Sequence, residues 1–304
     1  VAYLKNFDFN PLIGQQVGTS VLLKKLDQGS MSVVFVAYQK TLKRQIAVKI
    51  LPKVFLTPKI SELFQQEAQS AAFLSHPCII PVYEVGETDD FLFFTMQLVR
   101  GASLSQFIRR CRKNVLPSKR MMPLEDALST IVKVLDALDY ANGLGIIHRD
   151  IKPGNILIEA HSHRPLITDF GVARSYESSG TDARVMVGTP AYMAPEQIFS
   201  GIVDSSADVY AAGVMLFEML CGRLPYPPYD TALKLLKIKL RLQDRIFMKR
   251  PSEMNPAVKP ALDNIVLKAV AYNKRRRYSN CREFAADIEN YMTRHLNNST
   301  RSRK

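Results

Sequence analysis

No apolar run in this sequence reaches the roughly 18 residues that a membrane-spanning helix needs. The most apolar stretch, Val209 to Leu220, is interrupted by Glu218, so no transmembrane segment is expected. Val1 to Asn10 lack a basic start followed by an apolar core, which argues against a secretory signal there. The leading Val suits a piece cut from a longer chain. Cysteine is scarce as well: Cys78, Cys111, Cys221 and Cys281 stand alone, without a C-x-x-C pair or a histidine at metal spacing. Buried or idle thiols in a reducing cytoplasm are expected, and no metal cage. His161 and His163 flank Ser162 before Leu166-Ile167, which suits a hairpin turn better than a metal site. Acidic residues are also short, 28 against 41 Lys and Arg, which leaves a net charge of +13. The basic residues cluster in Arg109 to Arg120, Lys234 to Arg250, Lys274 to Arg277 and the tail Arg294 to Lys304. Apart from Phe247, these clusters lack interleaved aromatics, and they lack zinc spacing and an RNA-binding signature, so specific nucleic-acid binding is disfavoured and a solvated basic surface is expected. Attraction to an anionic membrane surface or an acidic partner is the second reading.

What is present is an ordinary globular composition, 47% hydrophobic over 304 residues, enough for one large domain or two lobes. Strand-like segments recur at Val21 to Leu26, Val33 to Tyr38, Gln45 to Leu51, Val82 to Gly86 and Phe91 to Leu98. One helix is predicted among them, over Pro58 to Leu74, with Thr57 as N-cap and Pro58 in the first helical position. After Gly101 the pattern turns helical. Leu124, Leu128, Ile131, Leu135 and Leu138 mark one face of a buried helix that stops near Gly143 and Gly145. Further helices are predicted over Ala207 to Leu220, Thr231 to Leu240, Pro260 to Ala271 and Cys281 to Leu296. The expected fold is α+β, a small mostly antiparallel β lobe with one main helix followed by a larger, mainly helical lobe. The divisions are 1–20 as an N-terminal extension, 21–98 and 99–296 as the two lobes of one domain, and 297–304 as a basic polar tail.

Between two apolar, strand-like segments lies the polar run His148-Arg149-Asp150-Ile151-Lys152-Pro153-Gly154-Asn155. A loop held this way presents its side chains rigidly. Asp150 can accept a proton, Lys152 can hold an anion, and Asn155 can offer a carbonyl oxygen to a hard cation. The order and spacing match the catalytic loop His-Arg-Asp-Leu-x-x-x-Asn of protein kinases, with Ile151 for Leu. The chain therefore resembles a eukaryotic-like serine/threonine protein kinase of bacterial style, Lys-Pro-x-Asn suiting the serine/threonine rather than the tyrosine enzymes.

The resemblance extends from about Val21 to about Leu296. Ile46-Ala47-Val48-Lys49 corresponds to the V-A-I-K strand, whose lysine pairs with ATP phosphates and with a helix glutamate. Glu67 is the expected partner, with Glu62 as an exposed helix residue. Phe94 to Gly101 resembles the hinge segment that binds adenine, with Met96 as gatekeeper and Leu98 as main contact, while Leu26, Val34, Ala47 and Leu157 fall on the nucleotide-binding positions. Asp169-Phe170-Gly171 follows nineteen positions after Asp150 (169 − 150) and matches the D-F-G element. The resemblance thus implies ATP with Mg2+, or alternatively Mn2+, held through Asn155 and Asp169. Thr189 resembles the threonine that bonds the catalytic Asp and Lys, and Gly188 to Met193 the stretch that receives the substrate residue. Glu196 of Ala194-Pro195-Glu196, Asp208 and Arg277 resemble the family's structural positions. Arg149 resembles the arginine that receives a phosphate from the activation segment, with Thr181, Ser178 and Ser179 as expected phosphorylation sites.

One element departs from the pattern. The glycine-rich motif G-x-G-x-x-G-x-V falls on Asp27 to Val34, where only the middle glycine, Gly29, is present and Asp27 and Ser32 replace the others. The leading expectation is an autophosphorylating serine/threonine kinase acting on proteins in the cytoplasm, with any membrane tether outside this sequence. The alternative is a pseudokinase, a nucleotide-binding scaffold with an impaired glycine-rich loop. A small-molecule phosphotransferase is a third reading, opposed by Ala194-Pro195-Glu196 and Arg277.

Overall fold

The computed structural model describes residues 8–29, 32–170, 190–199 and 203–296. Two compact units, 1–100 and 101–304, divide the chain. In the first unit, β1 (Gln16–Val17), β2 (Ser20–Gln28), β3 (Val33–Gln39), β4 (Arg44–Pro52), α1 (Pro58–Ala72), β5 (Val82–Glu87) and β6 (Phe91–Met96) follow one another. The strands form one antiparallel sheet in the order β1-β2-β3-β4-β6-β5. Side chains alternate across a strand, so each strand supplies two faces. Val33, Phe35 and Ala37 of β3, Ile46, Val48 and Ile50 of β4, and Phe91 and Phe93 of β6 form one buried cluster. Phe9, Val17 and Leu22 complete it. Within the expected N-terminal extension, 1–20, Phe9 and Val17 belong to this core and β1 to the sheet.

The opposite face of the same strands holds Val34, Val36, Ala47, Lys49, Phe94 and Met96. The registers Val34↔Lys49, Val36↔Ala47 and Ala47↔Met96 bring these together. Helix α1 packs on this face through Phe64, whose ring lies 5.2 Å from that of Phe94. Its start is set by Thr57, whose Oγ1 accepts the Ile60 N–H at 3.2 Å, with Pro58 next in sequence where no amide hydrogen is needed.

The second unit opens with β7 (Gly101–Ser103) and α2 (Leu104–Arg112), which the sequence reading did not anticipate. Ser103 and Gln106 make a reciprocal capping box at its start, the S-x-x-Q signal that could have revealed it. Then come α3 (Leu124–Gly143), β8 (Ile156–Glu159), β9 (Pro165–Ile167), α4 (Glu196–Phe199), α5 (Ser206–Cys221), α6 (Ala232–Leu242), α7 (Pro251–Met254), α8 (Pro260–Ala269) and α9 (Cys281–His295). Strands β7, β8 and β9 form a small antiparallel sheet in that order. Helix α5 is buried along its whole length from Ala207 to Cys221, as expected of a helix apolar on all sides. It packs against α3, α7, α8 and α9, and ends at Gly222, whose φ of +68° suits glycine alone at low cost. Among the described residues, no helix is long and apolar enough to cross a membrane.

Candidate active site

The loop before β8 is fixed from below by a buried carboxylate. Asp208, fully buried near the start of α5, accepts the backbone N–H of His148 at 2.9 Å and of Arg149 at 2.8 Å. Burial pushes its pKa up, while the adjacent His148 and the two amides oppose that rise. His148 is buried too. Its Nδ1 accepts the Asp150 N–H at 3.3 Å, and its Nε2 lies 3.1 Å from the Thr168 carbonyl, so the ring proton belongs on Nε2. Its ring also packs 4.8 Å from that of Phe170, joining the loop to the stretch after β9. Arg149 (φ +64°) and Asp169 (φ +56°) hold the left-handed conformation, which is uncommon for residues with a side chain. Such strain persists where surrounding bonds over-determine it, and here they do at Arg149.

The result is a cluster around Asp150. Lys152 Nζ lies 2.6 Å from Asp150 Oδ2, and Asn155 Nδ2 donates to the Asp150 carbonyl at 2.9 Å and to Oδ2 at 3.2 Å. Asp150 and Lys152 each remain about a quarter exposed, so the pair stays accessible. Asn155 is buried, and its backbone carbonyl accepts the Thr168 N–H, which ties it to the residue preceding Asp169. Its amide nitrogen is used in holding Asp150, which leaves the amide oxygen as a neutral hard donor.

Oxygen donors of this kind suit a small hard cation. Among the described residues, no group of three or more His, Cys, Asp or Glu side chains could hold a metal by itself.

In the first unit, Lys49 Nζ lies 2.5 Å from Glu67 Oε1. Glu62 is exposed and instead accepts from Gln66 on its own helix. Of the remaining expected nucleotide contacts, Val34, Ala47 and Met96 share the sheet face of Lys49, and Leu98 follows β6. Leu26 and Gly29 are exposed on β2 and at the turn after it, and Leu157 lies on β8 in the second unit. At that turn Gly29 N–H donates to the Ser32 carbonyl at 2.8 Å, and the Asp27 carboxylate accepts the Gln28 N–H at 2.8 Å.

Glu196 and Arg277 form a two-pronged pair at 2.6 and 2.8 Å. The remaining guanidinium protons go to the carbonyls of Ala271, Ser206 and Tyr272, so all five donors of this buried arginine are used. Thr181, Ser178, Ser179 and Thr189 lie outside the described residues.

Several residues at this site escaped the sequence reading. Gln197 accepts the Ala194 N–H through its side-chain oxygen at 2.8 Å and donates to the Arg149 carbonyl at 3.0 Å, linking α4 to the loop. Lys239 of α6 was grouped with a solvated basic cluster, but it is buried. Its Nζ donates to the carbonyls of Pro190, Ala191 and Met193 at 2.8, 2.8 and 2.9 Å. Position in the helix was the available signal: Lys239 lies four residues after Leu235 and three after Leu236, on the apolar face.

An antiparallel sheet with one helix, followed by a mainly helical unit with an Asp-Lys-Asn loop anchored on a buried aspartate, defines a phosphotransferase of protein-kinase architecture. The solved kinase domain of Mycobacterium tuberculosis PknI superposes with a TM-score of 0.68 at 26% identity, over 91% of this chain and 98% of that one. Residues 20–290 match the model of the protein kinase domain, and the chain belongs to that family. Its relatives are serine/threonine-protein kinases. PrkC of Bacillus subtilis is 33% identical over 284 residues, 91% of this chain and 41% of that protein. PknB of Mycobacterium leprae is 34% identical over 270 residues, 86% of this chain and 41% of that protein. The chain thus spans well under half the length of these curated relatives. ATP, a divalent cation and a protein substrate are what the family uses.

Proposed function

We propose that this chain is a serine/threonine kinase domain, spanning 21–296, that transfers the γ-phosphate of ATP to hydroxyls of proteins, including its own activation segment. The observation that carries the reading is the cluster of Asp150, Lys152 and Asn155, held on the buried Asp208. Asp150 orients the acceptor hydroxyl and takes its proton as the oxygen attacks the γ-phosphorus in line. Lys152, already at Asp150, balances charge on the group in transfer. Lys49, fixed by Glu67, holds the phosphates, and Val34, Ala47, Met96, Leu98 and Leu157 contact the adenine, with Leu26 and Gly29 above it. Asn155 and Asp169 hold Mg2+, which when bound neutralises phosphate charge; Mn2+ suits the same oxygen donors. Most of the rate enhancement then comes from positioning and electrostatics rather than covalent chemistry.

The location that fits these roles is the cytoplasm, where ATP and thiol-reducing conditions coexist. The charge of +13 favours contact with an anionic membrane surface or an acidic partner over specific nucleic-acid binding. Incubation with Mg-ATP and a generic protein substrate tests the proposal. Phosphoserine or phosphothreonine is the expected product, and nucleotide binding without transfer to protein would point instead to a scaffold.

A further inference from the structure

A lysine sealed inside a protein is expensive, because burial strips water from its charge. Lys239 is only 1% exposed, and no carboxylate among the described residues pairs with it. Burial accordingly drives its pKa down. A leucine or methionine would fill the same position on the apolar face of α6 without that cost, as Leu235 and Leu236 do one turn earlier. What the ammonium supplies is three protons, and three carbonyls receive them: those of Pro190, Ala191 and Met193. This stretch belongs to no helix or strand, so its carbonyls lack partners from secondary structure. The rings of Tyr226 and Tyr210 flank the ammonium, with centroids 4.8 and 5.3 Å away. Other elements grip the same residues. The Tyr226 hydroxyl donates to the Ala191 carbonyl at 2.5 Å, and the Tyr192 hydroxyl donates to Glu218 on α5.

We infer that Lys239 is a positioning residue for the protein substrate, fixing the backbone of Pro190 to Met193 in the shape that receives the chain around the acceptor hydroxyl. The inference rests on the kinase reading proposed above, in which Gly188 to Met193 is the receiving stretch. A continuous path connects the lysine to the reacting group. Lys239 sets residues 190–193, Ala194 is bonded to Gln197, and Gln197 is bonded to the carbonyl of Arg149, next to Asp150. Shape here governs where the hydroxyl sits relative to the Asp150 carboxylate, and positional errors near 1 Å are costly in such reactions. The groups that Lys239 bonds are the carbonyls of Pro190, Ala191 and Met193, so the effect belongs to the protein substrate and not to the nucleotide.

Lys239→Met keeps an apolar stem of similar length and removes the three donors. With casein as substrate, it is expected to raise the KM for casein at least tenfold. The KM for ATP and the slow hydrolysis of Mg-ATP by water should stay within twofold. Lys237→Met, an exposed lysine of the same helix, should leave all these values unchanged. Tyr226→Phe, which removes one of the two bonds to the Ala191 carbonyl, should raise the casein KM about threefold, and it decides the matter if Lys239→Met does not fold. A casein KM that is unmoved in the folded variants overturns the inference, as does an equal fall in casein phosphorylation and ATP hydrolysis. A wild-type chain that transfers no phosphate to protein overturns the proposed function and this inference with it. An active wild type with an unmoved Lys239→Met overturns this inference alone.

Discussion

At the scale of single residues, two kinds of charge have different consequences when removed. Asp150 is a quarter exposed and paired with Lys152 and Asn155, so truncating it should leave the fold intact and remove the proposed proton acceptor. A positioned base contributes at least about 100-fold, so Asp150→Ala is expected to lower phosphotransfer by that factor or more. Asp169→Ala should do the same by removing a proposed cation ligand. Steady-state assays of purified variants check both, and near-normal turnover in either would refute the roles assigned. Arg277 is the opposite case. Its side chain is fully buried, all five donors are bonded, and Glu196 is its ionic partner. Removing one member of a buried pair strands the other, at about 3–5 kcal/mol. Arg277→Ala should therefore lower unfolding stability by that amount in a urea titration. A loss below about 1 kcal/mol would mean that Glu196 finds solvent or another partner easily.

At the scale of elements, glycine shows how packing overrides local preference. Gly143 ends α3, is exposed and has open space where a Cβ would stand. Gly213 lies inside α5, where a Cβ would come within 2.7 Å of a Val270 methyl and 2.8 Å of the Ala269 Cβ. Alanine gains about 1 kcal/mol over glycine in either helix. At Gly213 the overpacking cost of about 1–3 kcal/mol offsets or exceeds that gain. Gly143→Ala should raise the urea midpoint and Gly213→Ala should lower it, and the same sign for both would refute the close approach of α5 to the Ala269–Val270 corner. Elements with a local signature were legible in the sequence: α1 from Thr57-Pro58, α3 from its leucine spacing, and the loop at Asp150 from its motif. Those that depend on distant partners were not. Lys239 looked like one more cation in a basic cluster, and its role depends on carbonyls 46 to 49 residues away. Tyr226 and Gln197 are single polar residues whose partners are fixed only by the fold, 35 and 48 residues distant.

At the scale of the whole molecule, the groups to which the proposal gives catalytic roles belong to different units, Lys49 and Glu67 to the first and Asp150, Asn155 and Asp169 to the second. Lys49 is fixed by Glu67 within the first unit, and Asp150 by Lys152 and Asn155 within the second. On the proposed reading, a phosphate on the activation segment has Arg149 as its receiver. Arg149 stands ready for this: its Nε is buried and has no hydrogen-bond partner among the described residues, while its backbone is held by Asp208 and Gln197. A phosphate on Thr181, Ser178 or Ser179 supplies acceptors of the right charge, and such charge-assisted bonds order a segment. Incubation with Mg-ATP should therefore add phosphate to at least one of these three residues, detected by mass spectrometry, and Asp150→Ala should abolish it. Arg149→Ala should still accept some phosphate yet gain no activity from it, because the modification then has no partner. Activation by phosphate that persists without Arg149 would assign its reception to another residue, and an unmodified segment in an active enzyme would show that the loop needs no such order.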